Sequence, residues 1–296
     1  MVIDSSRRIW LNRVLKHRLK RRAFVFSQVT NDRNNLGDVH QTERQTMMHP
    51  EQGPCIIAIA GQTSTGKTRL GEGLVKYMEQ AHKPDGEPFA ACVFPVGDVF
   101  RLLTSHATLS LDDPEQVAQS VRDTLSQTHT KREPSGRIRL HYDGLIFEQT
   151  YHNGHSAGKL ATCEPIVTIV NDYISTWMHT TSEDIIFKDC RERNGADILV
   201  STTGEDMARI AARRLDQPLD TLLLTDAHIL RDIHDRDGHE LSLVEALQLE
   251  QEQVIRVHRT LVTPETDHRM VQQVGGVIMG AVMTGERFGT IYLQDT

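Results

Sequence analysis

The sequence predicts an α/β fold in which a parallel β-sheet is flanked by helices on both of its faces. Short apolar runs alternate with stretches of helical periodicity, which is typical of a three-layer α/β arrangement. The apolar runs lie at 56–60, 89–96, 183–189 and 198–200, and a helical pattern at 69–80 follows the first of them. Strands that are buried on both faces are apolar throughout, and this favours a parallel sheet.

A glycine-rich segment follows the first apolar run. Residues 61–68 read GQTSTGKT and satisfy the pattern G-x-x-x-x-G-K-[ST] of the phosphate-binding P-loop. Glycines let backbone N–H groups approach a phosphate closely, and a helix N-terminus after the loop favours an anion. We therefore expect a P-loop NTPase version of the three-layer fold. The expected ATP-binding residues are Gly61, Gln62, Thr63, Ser64, Thr65, Gly66, Lys67, Thr68 and Arg69.

Two residues of this segment have distinct expected roles. Lys67 would reach the β- and γ-phosphates of ATP, and the hydroxyl of Thr68 would bind Mg²⁺. ATP and Mg²⁺ are therefore the expected cofactors. The alternative is a chance match on a turn rich in glycine and threonine, and the strand before the segment and the helix after it argue against that alternative.

Length and composition are those of an ordinary globular protein. The 296 residues allow one large domain or two small ones. No apolar stretch is long enough to cross a bilayer, so no transmembrane segment is expected. The four cysteines, Cys55, Cys92, Cys163 and Cys190, have no C-x-x-C spacing, and the histidines have no H-E-x-x-H spacing. A reduced cytoplasmic protein is the simplest interpretation.

The charge of the chain is unevenly distributed. Residues 1–46 hold ten basic and four acidic residues, a net of +6, whereas the remainder has a net of −13. An acidic body argues against nucleic acid as the main partner but allows nucleotide substrates, because a phosphate pocket needs only local positive charge. We expect 1–46 to be a basic, poorly ordered extension, with organelle targeting or membrane-surface binding as alternatives. The domain that contains the P-loop would then span 47–296, and nothing in the sequence indicates an oligomeric state.

The segment after the second apolar run resembles a motif of the nucleoside monophosphate kinases. Residues 97–101 read Gly-Asp-Val-Phe-Arg, and that family has Gly-Asp-Met-Leu-Arg or Gly-x-x-Tyr-Arg at this place. The resemblance implies that Gly97, Asp98 and Arg101 bind the acceptor nucleotide, with the arginine on its phosphate. Chemistry agrees, since an arginine on such a turn is a good bidentate phosphate ligand. The alternative is a surface arginine on an amphipathic helix.

A second resemblance is to the cytidylate kinases in particular. Residues 137–147 alternate apolar and polar residues around Asp143-Gly144, which predicts a β-hairpin. The cytidylate kinases have a small inserted sheet with a similar Tyr-Asp-Gly segment, which implies an acceptor-binding insertion at about 105–180. In that family an Ile-Arg-Thr stretch follows. Here the matching residues are Tyr151-His152-Asn153, so this arginine is absent.

The third apolar run ends in Asp189, and we expect this strand to lie next to the strand that leads into the P-loop. This is the Walker B arrangement, in which a carboxylate holds Mg²⁺ directly or through water. The segment Asp189-Cys190-Arg191-Glu192 resembles the family's Glu-Gly-Arg-Asp, which implies that Arg191 is a catalytic residue and a second acceptor-phosphate ligand. Residues 195–215 predict a strand, a turn capped by Thr203, and an arginine-rich helix that resembles the family's. Its Arg213 would stabilise charge on the transferred phosphoryl group. The alternatives are a solvated strand-end acid and a solvated arginine face.

The remaining pattern predicts further elements of less specific type. We expect helices at 111–132, at 157–177 with a break at Pro165, and at 240–261, and strands at 275–283 and 290–293. The family's lid carries Arg-Asp-x-x-Asp-x-x-Arg, and we do not find that pattern here. Arg256, Arg259 and Arg269 are the remaining lid candidates.

The expected function is ATP-dependent phosphoryl transfer to a nucleoside monophosphate, with cytidylate as the first acceptor to consider. Such a transfer needs positioning and charge neutralisation more than covalent chemistry. A kinase of another small acceptor, a nucleotide-binding regulator without kinase activity, and a degenerate family member retained for its interactions stay open as alternatives. No Asn-Lys-x-Asp segment for reading guanine is found, which argues against a GTPase.

Overall fold

A computed structural model describes residues 53–107, 114–143, 145–146, 157, 160–189, 196–216, 223–248 and 253–295. These residues belong to one compact unit, Arg44–Thr296. The expected extension at 1–46, the segment 151–153 and the candidate Arg191 lie outside the described residues.

Within the described part of the chain, six parallel strands form the central sheet, in the order β2-β6-β1-β7-β8-β9. In chain order the strands are β1 (Cys55–Gly61), β2 (Ala91–Pro95), β3 (Thr128–Arg132), β4 (Ile138–Tyr142), β5 (Leu145–Ile146), β6 (Ile185–Asp189), β7 (Ile198–Gly204), β8 (Val254–Arg259) and β9 (Thr290–Gln294). The chain runs from β1 to β2 and β6 on one side, then crosses to β7 on the other side of β1. The sheet therefore changes direction at β1, and such switch points are where α/β sheets bind ligands.

Helices cover both faces of the sheet. They are α1 (Lys67–Glu79), α2 (Val96–His106), α3 (Pro114–Ser126), α4 (Glu164–Thr180), α5 (Asp206–Asp216), α6 (Asp226–Gln248) and α7 (Pro264–Thr284). Ile57 and Ile59 of β1 pack with α1 and α7, whereas the alternate residues Ala58 and Ala60 pack with α2, α3 and α4. Because neighbouring strand residues point to opposite faces, the two sets define two outer helical layers. The expected parallel α/β sheet flanked by helices is thus confirmed.

A separate antiparallel sheet has the order β3-β4-β5. β4 and β5 pair as the expected hairpin, and Asp143 between them has a φ of 51°. The expected helix at 111–132 is wrong at its end, because α3 stops at Ser126 and 128–132 form β3. Antiparallel pairing with β4 overrides the polar, helix-like composition of this segment.

Two expected elements near the C-terminus are wrong in type. The helix predicted at 240–261 ends at Gln248, and Val254–Arg259 is strand β8. The strand predicted at 275–283 lies within helix α7, which begins with a capping box between Thr263 and Thr266. The expected strand at 290–293 is confirmed as β9.

Glycines of α1 and α7 allow these two helices to pack closely. A Cβ on Gly275 would lie 2.6 Å from Cδ1 of Tyr77 on α1, and a Cβ on Gly73 of α1 would lie 2.4 Å from Cγ2 of Val271 on α7. The two helices therefore approach closely at glycines that face bulky partners. This packing sets the position of α1, whose N-terminus carries the candidate site.

The break expected at Pro165 within 157–177 is confirmed: residues 157 and 160 are helical, 161 and 162 form a turn, and α4 begins at Glu164. Pro165 lies in the first turn of α4, where the missing N–H has no helical partner. The cap expected at Thr203 is wrong. Thr203 lies in β7, where its hydroxyl is 3.0 Å from Nδ1 of His258, so it does not cap α5 from a turn. No helix among the described residues is long and apolar enough to span a membrane.

Candidate functional site

Residues 61–68, which we call the glycine loop, form a tight turn from β1 into α1. Gly61 has a φ of 137° and Gly66 a φ of 77°, conformations that glycine adopts readily. A Cβ on Gly61 would lie 2.0 Å from the backbone oxygen of Thr202 on β7, so a larger residue does not fit. Gly66 caps the N-terminus of α1. The loop therefore places a helix N-terminus, which favours an anion, at the carboxyl edge of the sheet.

Lys67 and Thr68 begin α1 at this edge. The Lys67 ammonium donates hydrogen bonds to the carbonyl oxygens of Gln62 at 2.7 Å and Gly61 at 3.2 Å. The Thr68 hydroxyl donates to Oδ2 of Asp189 at 2.9 Å. Asp189 is the last residue of β6, directly beside β1. The structure therefore brings together three of the residues predicted from the sequence: Lys67, Thr68 and Asp189.

Strand β7 supports the glycine loop from the other side. The Gln62 N–H donates to the Thr202 carbonyl at 3.0 Å, and the Gln62 side-chain oxygen accepts from the Gly204 N–H at 2.9 Å. The hydroxyls of Thr65 and Thr202 lie 2.7 Å apart. These contacts fix the first half of the loop against the sheet, so its backbone is preorganised.

A buried ion pair clamps the middle of the glycine loop. The Thr63 N–H donates to Oδ1 of Asp237 on α6 at 2.9 Å, and the Thr63 carbonyl accepts from Nε of Arg209 on α5 at 3.0 Å. Arg209 also bonds directly to Asp237. Both side chains are almost fully buried. The loop is thereby tied to two helices that are distant from it in sequence.

Charged side chains also surround the first turn of α1. Nε of Arg69 lies 2.7 Å from Oδ2 of Asp267, and Asp267 also binds Arg259. Arg259 is 1% exposed and donates from Nε to Oδ2 of Asp295 at 2.7 Å. These ion pairs connect β8, α7 and the end of β9. Arg259 brings them to the glycine loop, because a Cβ on Gly66 would lie 3.9 Å from its Nη1.

Asp216 stands beside this chain of ion pairs, 3.8 Å from Arg69. Burial raises the pKa of Asp216 to about 6; Arg69 opposes the rise, whereas Asp267, Asp189 and Glu72 add to it. The negative charges of Asp267, Asp189 and Glu72 therefore act on Asp216 on this side of α1.

The expected acceptor residues lie at the start of α2, next along the edge of the sheet. Gly97 and Asp98 are in its first turn, and Arg101 follows one turn later. Nη1 of Arg101 donates to Oδ1 of Asp98 at 2.6 Å. A second arginine, Arg137, donates from Nη2 to Oδ2 of the same carboxylate at 2.6 Å. Asp98 therefore holds two guanidinium groups.

The other expected arginines lie elsewhere. Arg213 is buried on α5, one turn after Arg209, with its guanidinium 3.7 Å from a carboxylate oxygen of Asp232 on α6. Arg256 and Arg259 are strand residues of β8 and not parts of a helical lid. Arg269 lies on α7.

Two residues of the site, Arg137 and Asp237, were missed in the sequence. Arg209 was expected on the arginine-rich helix, but its contact with the glycine loop was not. Residues 231–235 read Arg-Asp-Ile-His-Asp and match the start of the lid pattern, but Gly238 stands in place of its last arginine, and the pattern leaves the position of Asp237 unspecified. No local pattern marks Arg137, whose role depends on long-range pairing.

The residues at this edge fit magnesium better than a transition metal. No group of three or more His, Cys, Asp or Glu side chains arranged for a metal occurs among the described residues. Mg²⁺ usually takes only one or two protein oxygen ligands and completes its shell with phosphate oxygens and water. The hydroxyl of Thr68 and the carboxylate of Asp189 are ligands of that type.

Comparison with known proteins gives no relative: no protein-family model and no curated protein matches the chain.

Proposed function

We propose that the chain is a P-loop phosphotransferase that moves the γ-phosphoryl group of ATP to a nucleoside monophosphate, with cytidylate as the first acceptor to test. The observation that carries the proposal is the hydrogen bond from Thr68 to Asp189. A chance match of G-x-x-x-x-G-K-[ST] would have no reason to place its threonine on the acid that ends the neighbouring strand.

Nucleotide binding is supported by the backbone of the glycine loop. Its N–H groups and the N-terminus of α1 would hold the phosphate oxygens of ATP. Lys67 would leave the carbonyl oxygens of Gln62 and Gly61 for the β- and γ-phosphates, a stronger charge-assisted contact. This exchange keeps the ammonium bonded both before and after ATP enters.

Magnesium would be held by Thr68 and Asp189, the two oxygen groups that already face one another. When bound, Mg²⁺ neutralises charge on the β- and γ-phosphates. Asp189 keeps the hydroxyl oriented in its absence, which lowers the reorganisation needed on binding.

Acceptor binding is supported by the two arginines, Arg101 and Arg137, that meet on Asp98 at the start of α2. Arg101 lies at the carboxyl end of β2, and β2 neighbours the strand that ends in Asp189. An acceptor phosphate bound by Arg101 would therefore lie on the β6 side of the glycine loop.

An ADP-release assay with Mg-ATP tests the proposal, using CMP, dCMP, UMP, AMP and GMP as acceptors. Lys67→Ala should lower turnover at least about 100-fold, the scale for loss of one preorganised charge-stabilising group. Lys76→Ala is the matched control, because Lys76 lies on the last turn of the same helix and should not alter turnover. Tight Lys67-dependent ATP binding without acceptor-dependent turnover would contradict the kinase proposal and favour a regulator.

A further inference from the structure

Asp98 is a buried carboxylate shared by two arginines. It is 4% exposed, and its two oxygens each accept a 2.6 Å hydrogen bond, one from Arg101 and one from Arg137. A single carboxylate neutralises only one guanidinium. The second guanidinium is paired with Glu72 at a longer distance, since Nη1 of Arg137 lies 3.8 Å from Oε1 of Glu72, whose side chain is 31% exposed. An arginine paired this loosely in a largely buried setting can take an anionic ligand.

Arg137 reaches this position through the edge of the central sheet. The Gly136 carbonyl accepts a hydrogen bond from the Val93 N–H of β2 at 3.0 Å, and Arg137 forms a bridge with Val93. The strand β4 begins with the next residue. The antiparallel sheet is thus attached to β2, and this attachment brings the Arg137 side chain to the carboxyl edge where α1 and α2 start.

The Arg137 side chain has hydrogen-bonding capacity left over. It is 12% exposed, and its Nη1 lies 3.8 Å from Oε1 of Glu72 on α1. Its Nε atom is buried and has no hydrogen-bond partner among the residues that the structure describes. Burial lowers the pKa of Arg137, but the charges of Asp98, Asp189 and Glu72 outweigh it and the pKa is raised, so the guanidinium stays charged. A charged, buried donor without a partner is costly unless a ligand satisfies it.

Arg137 also lies between the proposed ATP site on α1 and the proposed acceptor site on α2. Its partners belong to α2, which carries Arg101, and to α1, which carries Thr68 one turn before Glu72. A phosphate monoester has three terminal oxygens, and arginine pairs bind such groups through parallel N–H···O bonds.

We propose, on the basis of the phosphotransferase function above, that Arg137 is a second ligand of the acceptor's phosphate. Asp98 is then a positioning residue: it orients Arg101 and Arg137 so that their guanidinium groups converge on one phosphate monoester. The ligand class is the dianionic phosphate of a nucleoside monophosphate, and the inserted antiparallel sheet serves to deliver this arginine.

The test is the KM for the acceptor in Arg137→Lys, compared with Arg139→Lys. The lysine keeps the positive charge but loses the planar fork. We expect the acceptor KM to rise about tenfold or more while the KM for ATP stays within about twofold of wild type. Arg139 lies two residues further along the chain and pairs with Glu133, so its substitution should change neither KM. An unchanged acceptor KM in Arg137→Lys would overturn the inference.

A second measurement separates this inference from the function on which it rests. If no monophosphate is turned over, the kinase proposal fails, and binding of inorganic phosphate then decides the role of Arg137. The background is Lys67→Ala, which removes the lysine of the glycine loop, and the readout is the phosphate-dependent rise in unfolding temperature at constant ionic strength. A rise that is lost when Arg137→Lys is added supports an anion site at Arg137. No rise, or a rise that Arg137→Lys leaves intact, overturns it.

Discussion

The hydroxyl of Thr68 donates a 2.9 Å hydrogen bond to Oδ2 of Asp189. Thr68 lies one residue into α1, and Asp189 ends β6, so 121 residues separate the two along the chain. Their contact depends on β6 pairing directly with β1, in a register that sets Ile59 opposite Asp189. An oxygen pair of this kind, at the mouth of a glycine-rich loop, is suited to a hard cation.

Removing either oxygen should raise the magnesium requirement of ATP turnover. We expect Asp189→Asn and Thr68→Ala each to shift the half-saturating Mg²⁺ concentration upward by about 10- to 100-fold, the range seen when groups that hold or orient a metal are lost. Thr68→Ser retains the hydroxyl and should shift it little. Turnover measured across a Mg²⁺ titration gives the result, and identical curves for Asp189→Asn and wild type would exclude the carboxylate from the metal site.

The clamp on Thr63 should behave as a single unit in unfolding experiments. Asp237→Leu leaves the buried Arg209 without its carboxylate, and we expect it to lower the free energy of unfolding by about 3–5 kcal/mol. The double variant Arg209→Met with Asp237→Leu removes both charges and should be more stable than Asp237→Leu alone. Urea unfolding of the two single variants and the double variant measures this coupling.

An exposed pair on the same two helices provides the matched control. Arg214 of α5 and Asp226 of α6 form an ion pair whose side chains are 39% and 56% exposed. Their coupling should be below about 1 kcal/mol, as for other solvated pairs. If the effects of the Arg209 and Asp237 substitutions on the free energy of unfolding added as closely as those at Arg214 and Asp226, the buried clamp would not be a cooperative element of the loop.

Local patterns predicted the elements that build the sheet around β1, because those strands are buried on both faces and read as apolar runs. The glycine loop could also be predicted, because Gly61 and Gly66 have positive φ angles, which a local glycine pattern indicates. Beyond this core, the pattern was less informative. Val254–Arg259 alternates buried and half-buried residues, yet its apolar spacing also continues the helical pattern before it.

Long-range contacts account for most of what the sequence did not reveal. Arg137, Arg209 and Asp237 gain their places from strand pairing and helix packing, and no short motif contains two of them. The strand predicted at 275–283 is wrong for a similar reason: Gly275 of α7 lies against the ring of Tyr77 on another helix, and this partner is 198 positions away in the chain. A pattern read along the chain has no access to such pairings.

Packing of α1 against α7 should not tolerate a methyl group at its glycines. Gly73→Ala and Gly275→Ala should each lower the free energy of unfolding by about 1–3 kcal/mol, the usual cost of overpacking. Val271→Ala removes the methyl that Gly73→Ala would strike at 2.4 Å, so the pair should be less destabilised than the two single changes predict. Gly280 of the same helix has nothing within 4 Å of an added Cβ, and Gly280→Ala should stabilise by up to about 1 kcal/mol. Urea unfolding measures these free energies, and the slope of the free energy against urea concentration should be the same in every variant.

Asp216 should make the stability of the protein fall as the pH rises towards neutrality. Its pKa is about 6 in the folded state against an ordinary value of 3.8, so the folded state retains a proton that the unfolded state releases. The stability linked to this proton is fully present below pH 3.8 and is lost as the pH rises through 6. Asp216→Asn, which cannot ionise, should therefore be more stable than wild type at neutral pH.

The size of this gain is limited by solvent, since 27% of the Asp216 side chain is exposed. Water screens the repulsion from Asp267, Asp189 and Glu72, and we expect at most about 1 kcal/mol in favour of Asp216→Asn at neutral pH. The advantage should vanish at pH 3.8, where wild-type Asp216 is protonated in the folded state. Asp172→Asn on the exposed side of α4 should show no such pH-dependent gain. Unfolding free energies of the three proteins across this pH range decide the matter, because a gain that is constant with pH would indicate a packing effect rather than relief of charge.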